Sequence, residues 1–208
     1  MTQVLVSGFE PFDTMTDNPS WEVAHKVSQA DITPEVHAVC LPVEFGTAAR
    51  LLLDQVDSIQ PDLIIAVGLA AGTETIRLER VGLNLRDARI PDNAGFQPVD
   101  QPIDSHGPAA VFSTLRLKAA HSRMRAIDLP AQLSLSAGSF VCNEVLYSLL
   151  ATVTQWPAPV PAGFVHVPDL PDPTVPVTTD QAVVALQILI DESLRPEPDE
   201  PLIGGALH

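Results

Sequence analysis

Five consecutive apolar residues, Leu63-Ile64-Ile65-Ala66-Val67, run into Gly68 with no polar position among them. A strand with one wet face alternates; a strand with none has to be covered on both sides. Such a run belongs in the middle of a sheet sandwiched by helices. Val4-Leu5-Val6, ended by Gly8, repeats the pattern in shorter form. Helical spacing surrounds these runs. The pattern predicts a helix from Trp21 to about Ser28 with Ser20 as its cap, and one from about Phe45 to Ile59. A third opens at Pro108 and runs to about Arg125. A fourth carries Val145, Leu146, Leu149, Leu150 and Val153 on one face, and a fifth runs from Asp180 to Leu194 behind Thr179. Strands are expected between them, at Glu35 to Val43, Gln132 to Ser136 and Gly163 to Val167, with an extended segment over Thr75 to Asn84. Alternating strands and helices predict one α/β domain over residues 1–208: three layers, α/β/α, around a largely parallel (mixed) twisted sheet. The tail Arg195–His208, with three acidic residues and three prolines, is expected to be mobile.

Composition narrows the function classes. Apolar residues make up 46% and charged residues 18%, which describes a soluble globular protein. Acidic groups outnumber Lys and Arg by 26 to 11, a net charge of −15, and no basic cluster reverses that locally. Phosphate backbones are poor partners for such a surface, so nucleic acid is not expected. No apolar run approaches a membrane span and the N-terminus has no basic leader, so neither a membrane nor a secretory route is expected. Two cysteines, Cys40 and Cys142, are too few for a disulfide framework and suit a reducing cytoplasm. One bridge between them is formally possible, but it would consume the candidate thiol.

The chemistry collects at Ala137-Gly138-Ser139-Phe140-Val141-Cys142-Asn143-Glu144, between an alternating strand and a helical pattern. A thiol at a helix start faces free N–H groups and the positive end of the helix dipole. Both bias it toward thiolate, and the same N–H groups can hold an oxyanion. The plain alternative is a small buried apolar residue. A thiolate nucleophile needs a base and a group that orients the base. His166 closes an apolar strand beside a loop, at the edge where α/β sheets gather their catalytic groups. The other histidines fall on surface faces (His25, His37, His121), in a loop (His106) or in the tail (His208). Glu79 lies among apolar neighbours, where a carboxylate is costly without a partner; that partner is either His166 or an adjacent arginine, Arg77 or Arg80. Gly68 to Gly72 after a strand lacks the third glycine of a dinucleotide loop. His166, Asp169 and Asp172 do not fit a standard metal-site spacing. Phe9 and Phe12, in a loop after a strand, either fold onto the core or wall an apolar ligand pocket.

Several separated blocks in one order resemble the pyroglutamyl peptidase I (pyrrolidone carboxyl peptidase) family of cysteine peptidases. They are Gly8 to Phe12 with Asn18 to Glu22, Glu79 to Asn84, Asp87 to Asn93, Gly107 to Leu115, Ala137 to Tyr147 and Gly163 to Pro168. The resemblance implies Cys142 as nucleophile, His166 as general base and acid, and Glu79 as the acidic member. It implies a pyroglutamyl pocket lined by Phe9, Phe12, Ile90, Phe140 and Val141 with Asn18 near it. The Arg89 backbone and the Cys142 N–H would form the oxyanion hole. It implies no metal or organic cofactor, peptides with an N-terminal pyroglutamate as partners, and a homotetramer. The chain departs from the family at Leu69, where a glutamine is usual, and at Ala71, where a glycine is usual. That departure keeps open a thiol amidase for another small acyl amide; a silent binder of small ligands on the same scaffold is the other-class alternative.

Overall fold

The computed structural model describes residues 2–30, 34–170 and 172–205; His208 lies outside them. In chain order the elements are β1 (Gln3–Phe9), α1 (Pro19–Gln29), β2 (Glu35–Leu41), α2 (Thr47–Ile59), β3 (Leu63–Leu69), β4 (Ile76–Glu79) and β5 (Val81–Leu83). There follow β6 (Ala110–Phe112), α3 (Leu117–Ala126), β7 (Ala131–Ser134), α4 (Val141–Val153), β8 (Ala162–Val167) and α5 (Thr179–Ser193). Six strands form one sheet in the order β2-β1-β3-β8-β4-β7. β1, β2, β3 and β8 run parallel to one another, while β4 and β7 run the opposite way.

The all-apolar runs sit where their chemistry demands. β3 is buried along six of its seven residues. Its odd positions Leu63, Ile65 and Val67 enter one core with α1, α3 and α5; Ile64 and Ala66 enter a second core with α2 and α4. The three-layer expectation holds because each apolar strand face meets its own helix layer.

Several boundaries differ from the sequence expectation, and three of them show what starts a helix. α1 starts one residue before Ser20: Asn18 is its cap, accepting from the Ser20 N–H at 3.1 Å, with Pro19 in the first turn. Thr178, not Thr179, caps α5. The largest difference concerns the helix expected from Pro108, which begins only at Leu117. The extended segment 75–84 explains it. It leaves the main sheet at Arg80, and its second half, β5, needs a new partner for its backbone groups. Residues 110–112 supply that partner as the antiparallel strand β6. The pair lies on α4 so closely that a Cβ at Gly82 would come 2.8 Å from the Tyr147 nitrogen.

The expected mobile tail is engaged as far as it is described. The Asp199 carboxylate accepts from the N–H groups of Lys118 and Ala119 at 2.9 and 3.0 Å, capping α3, whose own N-cap residue makes no side-chain cap.

Candidate active site

Strand direction decides where the acid lies. Phe164 of β8 points into the α2/α4 core, and His166, two positions on, shares its face. β4 pairs antiparallel, with Arg77 opposite His166 and Glu79 opposite Phe164. Moving along β4 from Arg77 to Glu79 therefore moves down into the sheet, not out to its rim. Glu79 is completely buried, and its Oε1 lies 2.8 Å from His166 Nδ1. An ionised carboxylate can only accept, so Nδ1–H donates and Nε2 is left for the thiol. Burial alone would lower the His166 pKa; its contacts with the Cys142 thiol and with Glu79 outweigh that and raise it to about 9. The two alternatives for the partner of Glu79 both hold, since Arg77 Nε is also 3.4 Å from Oε1.

Cys142 occupies the first turn of α4 after a loop in which Gly138 takes φ 79°, a conformation that favours glycine. The residues after it are committed to bracing. Asn143 exchanges two hydrogen bonds with the backbone of Leu83, at 2.9 and 2.8 Å. Glu144 pairs with Arg86 and accepts from the Gly46 N–H at 2.7 Å. Both are buried, whereas Cys142 is half-buried and faces a cavity with His166. The space for the sulfur comes from Gly68, which stands beside His166 in the sheet. A Cβ there would lie 2.9 Å from Cys142 Sγ and 2.8 Å from the Phe164 ring. The glycine noticed in the sequence as half of a dinucleotide loop is a clearance for the thiol. Both cysteines are free, and burial together with Glu10 pushes the Cys40 thiol up, against a nucleophilic role.

The cavity in front of the thiol holds about 470 Å³. Phe9, Phe12, Asn18, Arg89, Ile90 and Phe140 all line it with Cys142 and His166. Phe140 packs between Phe12 and Phe45 with ring centroids 5.2 and 5.1 Å apart, giving a rigid aromatic wall. Val141 is the exception: its side chain is fully buried in the α2/α4 core, one helix step of about 100° away from Cys142. Asn18 is largely occupied. Its Oδ1 accepts from the Ser20 N–H and hydroxyl, and its amide donates to Glu10 O at 2.9 Å. One amide hydrogen stays without an acceptor among the described residues.

The loop that carries Arg89 and Ile90 is tied to the loop before α4, because the Ser139 hydroxyl donates to Asp87 O at 2.6 Å and the Ser139 carbonyl accepts from the Asp87 N–H at 3.0 Å. Leu69 also reaches the cavity, as do Met15 and Val43, which the sequence reading missed; nothing in their local pattern marks them. Among the described residues no group of three His, Cys, Asp or Glu side chains is gathered to hold a metal, and no helix is long and apolar enough to cross a membrane.

The family model for pyroglutamyl peptidase matches residues 2–193. The pyrrolidone-carboxylate peptidase of Chromobacterium violaceum is 45% identical over 215 residues, with all of both chains covered. Pyroglutamyl peptidase I of Bacillus amyloliquefaciens superposes with a TM-score of 0.91 at 35% identity, covering 97% of this chain and 99% of that one. A mutant pyrrolidone carboxyl peptidase of Pyrococcus furiosus gives 0.87 at 36% identity, with 93% and 98% covered. Matches of this length and identity leave one assignment: the chain belongs to the pyroglutamyl peptidase family.

Proposed function

We propose that this chain removes N-terminal pyroglutamate by hydrolysing the amide bond that follows it, with Cys142, His166 and Glu79 as its catalytic residues. The observation that carries this reading is the buried Glu79–His166 pair, 2.8 Å apart, whose imidazole shares the cavity with the thiol. The Cys142 sulfur attacks the pyroglutamyl carbonyl as thiolate, with its proton on His166. The oxyanion that forms is held by the Cys142 N–H and the Arg89 backbone. His166 then protonates the departing amine, leaving a thioester. In the second half the neutral imidazole takes a proton from water, and the hydroxide attacks the thioester to release pyroglutamate. Glu79 fixes the tautomer and steadies the imidazolium.

The pocket suits the substrate. A pyroglutamyl group has a lactam where other N-termini carry an ammonium, so apolar walls and a hydrogen bond must recognise it. Phe9, Phe12, Ile90 and Phe140 supply the walls, and the remaining Asn18 amide hydrogen supplies a donor. Leu69 on the cavity wall favours, as a second reading, activity on other small acyl amides. A homotetramer in the cytoplasm is part of the proposal. Exposed apolar side chains such as Val99, Phe112 and Leu135 offer surface for subunit contacts.

The test is release of a fluorescent amine from a pyroglutamyl amide, with and without iodoacetamide pretreatment. Turnover that alkylation abolishes is expected. Turnover insensitive to alkylation would remove the thiol mechanism, and turnover only of other acyl amides would transfer the assignment to the second reading.

A further inference from the structure

Glu79 presents two oxygens to a fully buried space, and His166 satisfies only one. Oε2 has no hydrogen-bond partner among the described residues. A buried carboxylate with so little support is costly unless a charge stands beside it. During acyl transfer His166 alternates between charged and neutral, so it is a charge partner for only part of the cycle. Arg77 is the cation that stays: its guanidinium does not lose its proton in proteins, and its Nε lies 3.4 Å from Oε1.

The same guanidinium is held from the other side. It donates to Ser134 Oγ at 2.7 Å and to Ser136 O at 3.1 Å. Ser134 Oγ in turn accepts from the Ser136 N–H at 3.3 Å. Ser136, Ala137 and Gly138 are the loop that wall the cavity and lead to Cys142. Arg77 therefore spans the gap between the acid beneath the imidazole and the loop that delivers the nucleophile.

We infer that Arg77 is a positioning residue for the reaction, acting through Glu79 and the 134–138 loop without binding substrate. The inference rests on the triad reading above. It explains why a half-buried arginine stands directly opposite His166 in the sheet, where its positive charge works against an imidazole that must become cationic. It also separates Arg77 from Arg89, the other arginine on the cavity, for which no ion pair to an acid is formed among the described residues.

The experiment compares Arg77→Met with Arg77→Lys, each alone and combined with Glu79→Gln, in a Cys40→Ala background so that one thiol remains. Turnover of a pyroglutamyl amide and the rate of Cys142 alkylation by iodoacetamide are both measured. Arg77→Met is expected to lower kcat about tenfold to a hundredfold, as a small misplacement of a catalytic group does, with KM changed by less than about twofold. Arg77→Lys, which keeps the charge and loses the fork, is expected to recover most of kcat. With Gln at 79 the Met substitution is expected to add little, because the two residues act as one unit.

A large rise in KM at unchanged kcat would overturn the inference and make Arg77 a substrate contact. Unchanged kcat and alkylation in both variants would overturn it too, as would fully additive losses with Glu79→Gln. Alkylation needs no substrate. A wild-type protein that alkylates at Cys142 without cleaving pyroglutamyl amides would refute the proposed substrate while leaving the Arg77 comparison decisive. If Arg77→Met does not fold, Arg77→Lys and Arg77→Gln carry the same comparison.

Discussion

α5 and α4 begin in opposite ways. At α5, the Thr178 hydroxyl accepts from the Gln181 N–H at 3.2 Å while Gln181 Oε1 accepts from the Thr178 N–H at 2.9 Å, closing the helix start with a reciprocal box. At α4 the N-cap is Phe140 and no side chain accepts from the first turn. Two other starts are closed by side chains, α1 by Asn18 and α3 by the distant Asp199; α2 has no side-chain cap, and its Thr47 and Ala48 N–H groups donate to the backbone carbonyls of Phe45 and Glu44. Donors without a side-chain cap at a helix start cost stability. Here they coincide with the thiol and the cavity, where the proposed mechanism places an anion. Three of the five helix starts carry side-chain caps, and the start that holds the thiol does not.

The sharpest way to break that contrast is at the open end. Cys142→Ser is expected to lower turnover by at least about 10³-fold, because a hydroxyl is a far poorer nucleophile beside this imidazole. Its thermal midpoint should stay within about 2 °C, as expected of an isosteric change; near-normal kinetics would sink the assignment. Glu79→Gln is expected to cost about 10²-fold in kcat, since orientation suffers while the nucleophile remains. It should also alter the response to pH. His166 is raised from 6.5 to about 9 in the folded state, so the native protein holds a proton the unfolded chain releases. That contribution to stability is fully present below pH 6.5 and is lost as pH rises through about 9. Thermal midpoints measured across this window should fall in the wild type and fall less in Glu79→Gln, which lacks one of the groups responsible. Gly68→Ala presses on the sulfur and the Phe164 ring; a loss of about tenfold in kcat and 1–3 kcal/mol of stability is expected. An unchanged rate would show that the thiol does not need that clearance. The smallest effect belongs at the closed end. Thr178→Ala should cost about 1 kcal/mol, or roughly 2–4 °C, at unchanged kcat. Any loss of rate there would erase the distinction between the two helix starts.

Much of this was legible because burial and chemistry both leave local marks. Leu63 to Val67 announces a strand covered on both faces, and a carboxylate among apolar residues at Glu79 announces a partner. What was not legible depends on contacts distant in the chain. Residues 110–112 carry no strand signal of their own and pair only because β5 has left the sheet. Val141 sits beside Cys142 in sequence but a helix step away in space, so adjacency misleads about the pocket. Asp199 reads as one acid in a proline-rich tail until α3, eighty residues earlier, is seen to need it. Arg77 was visible only as a neighbour of Glu79. Its link to Ser134 and Ser136 requires the β4–β7 pairing.

The empty Cβ position at Gly68 ties three codons together. It faces the Cys142 sulfur on one side and the Phe164 ring on the other, at 2.9 and 2.8 Å, so a side chain there meets nucleophile and core at once. Removing the sulfur alone would not free the position, because the ring still fills it. Glycine at 68 is thus a joint requirement of the site and the core, and a relative with a bulkier residue there is expected to carry a smaller one at the position of Phe164 as well.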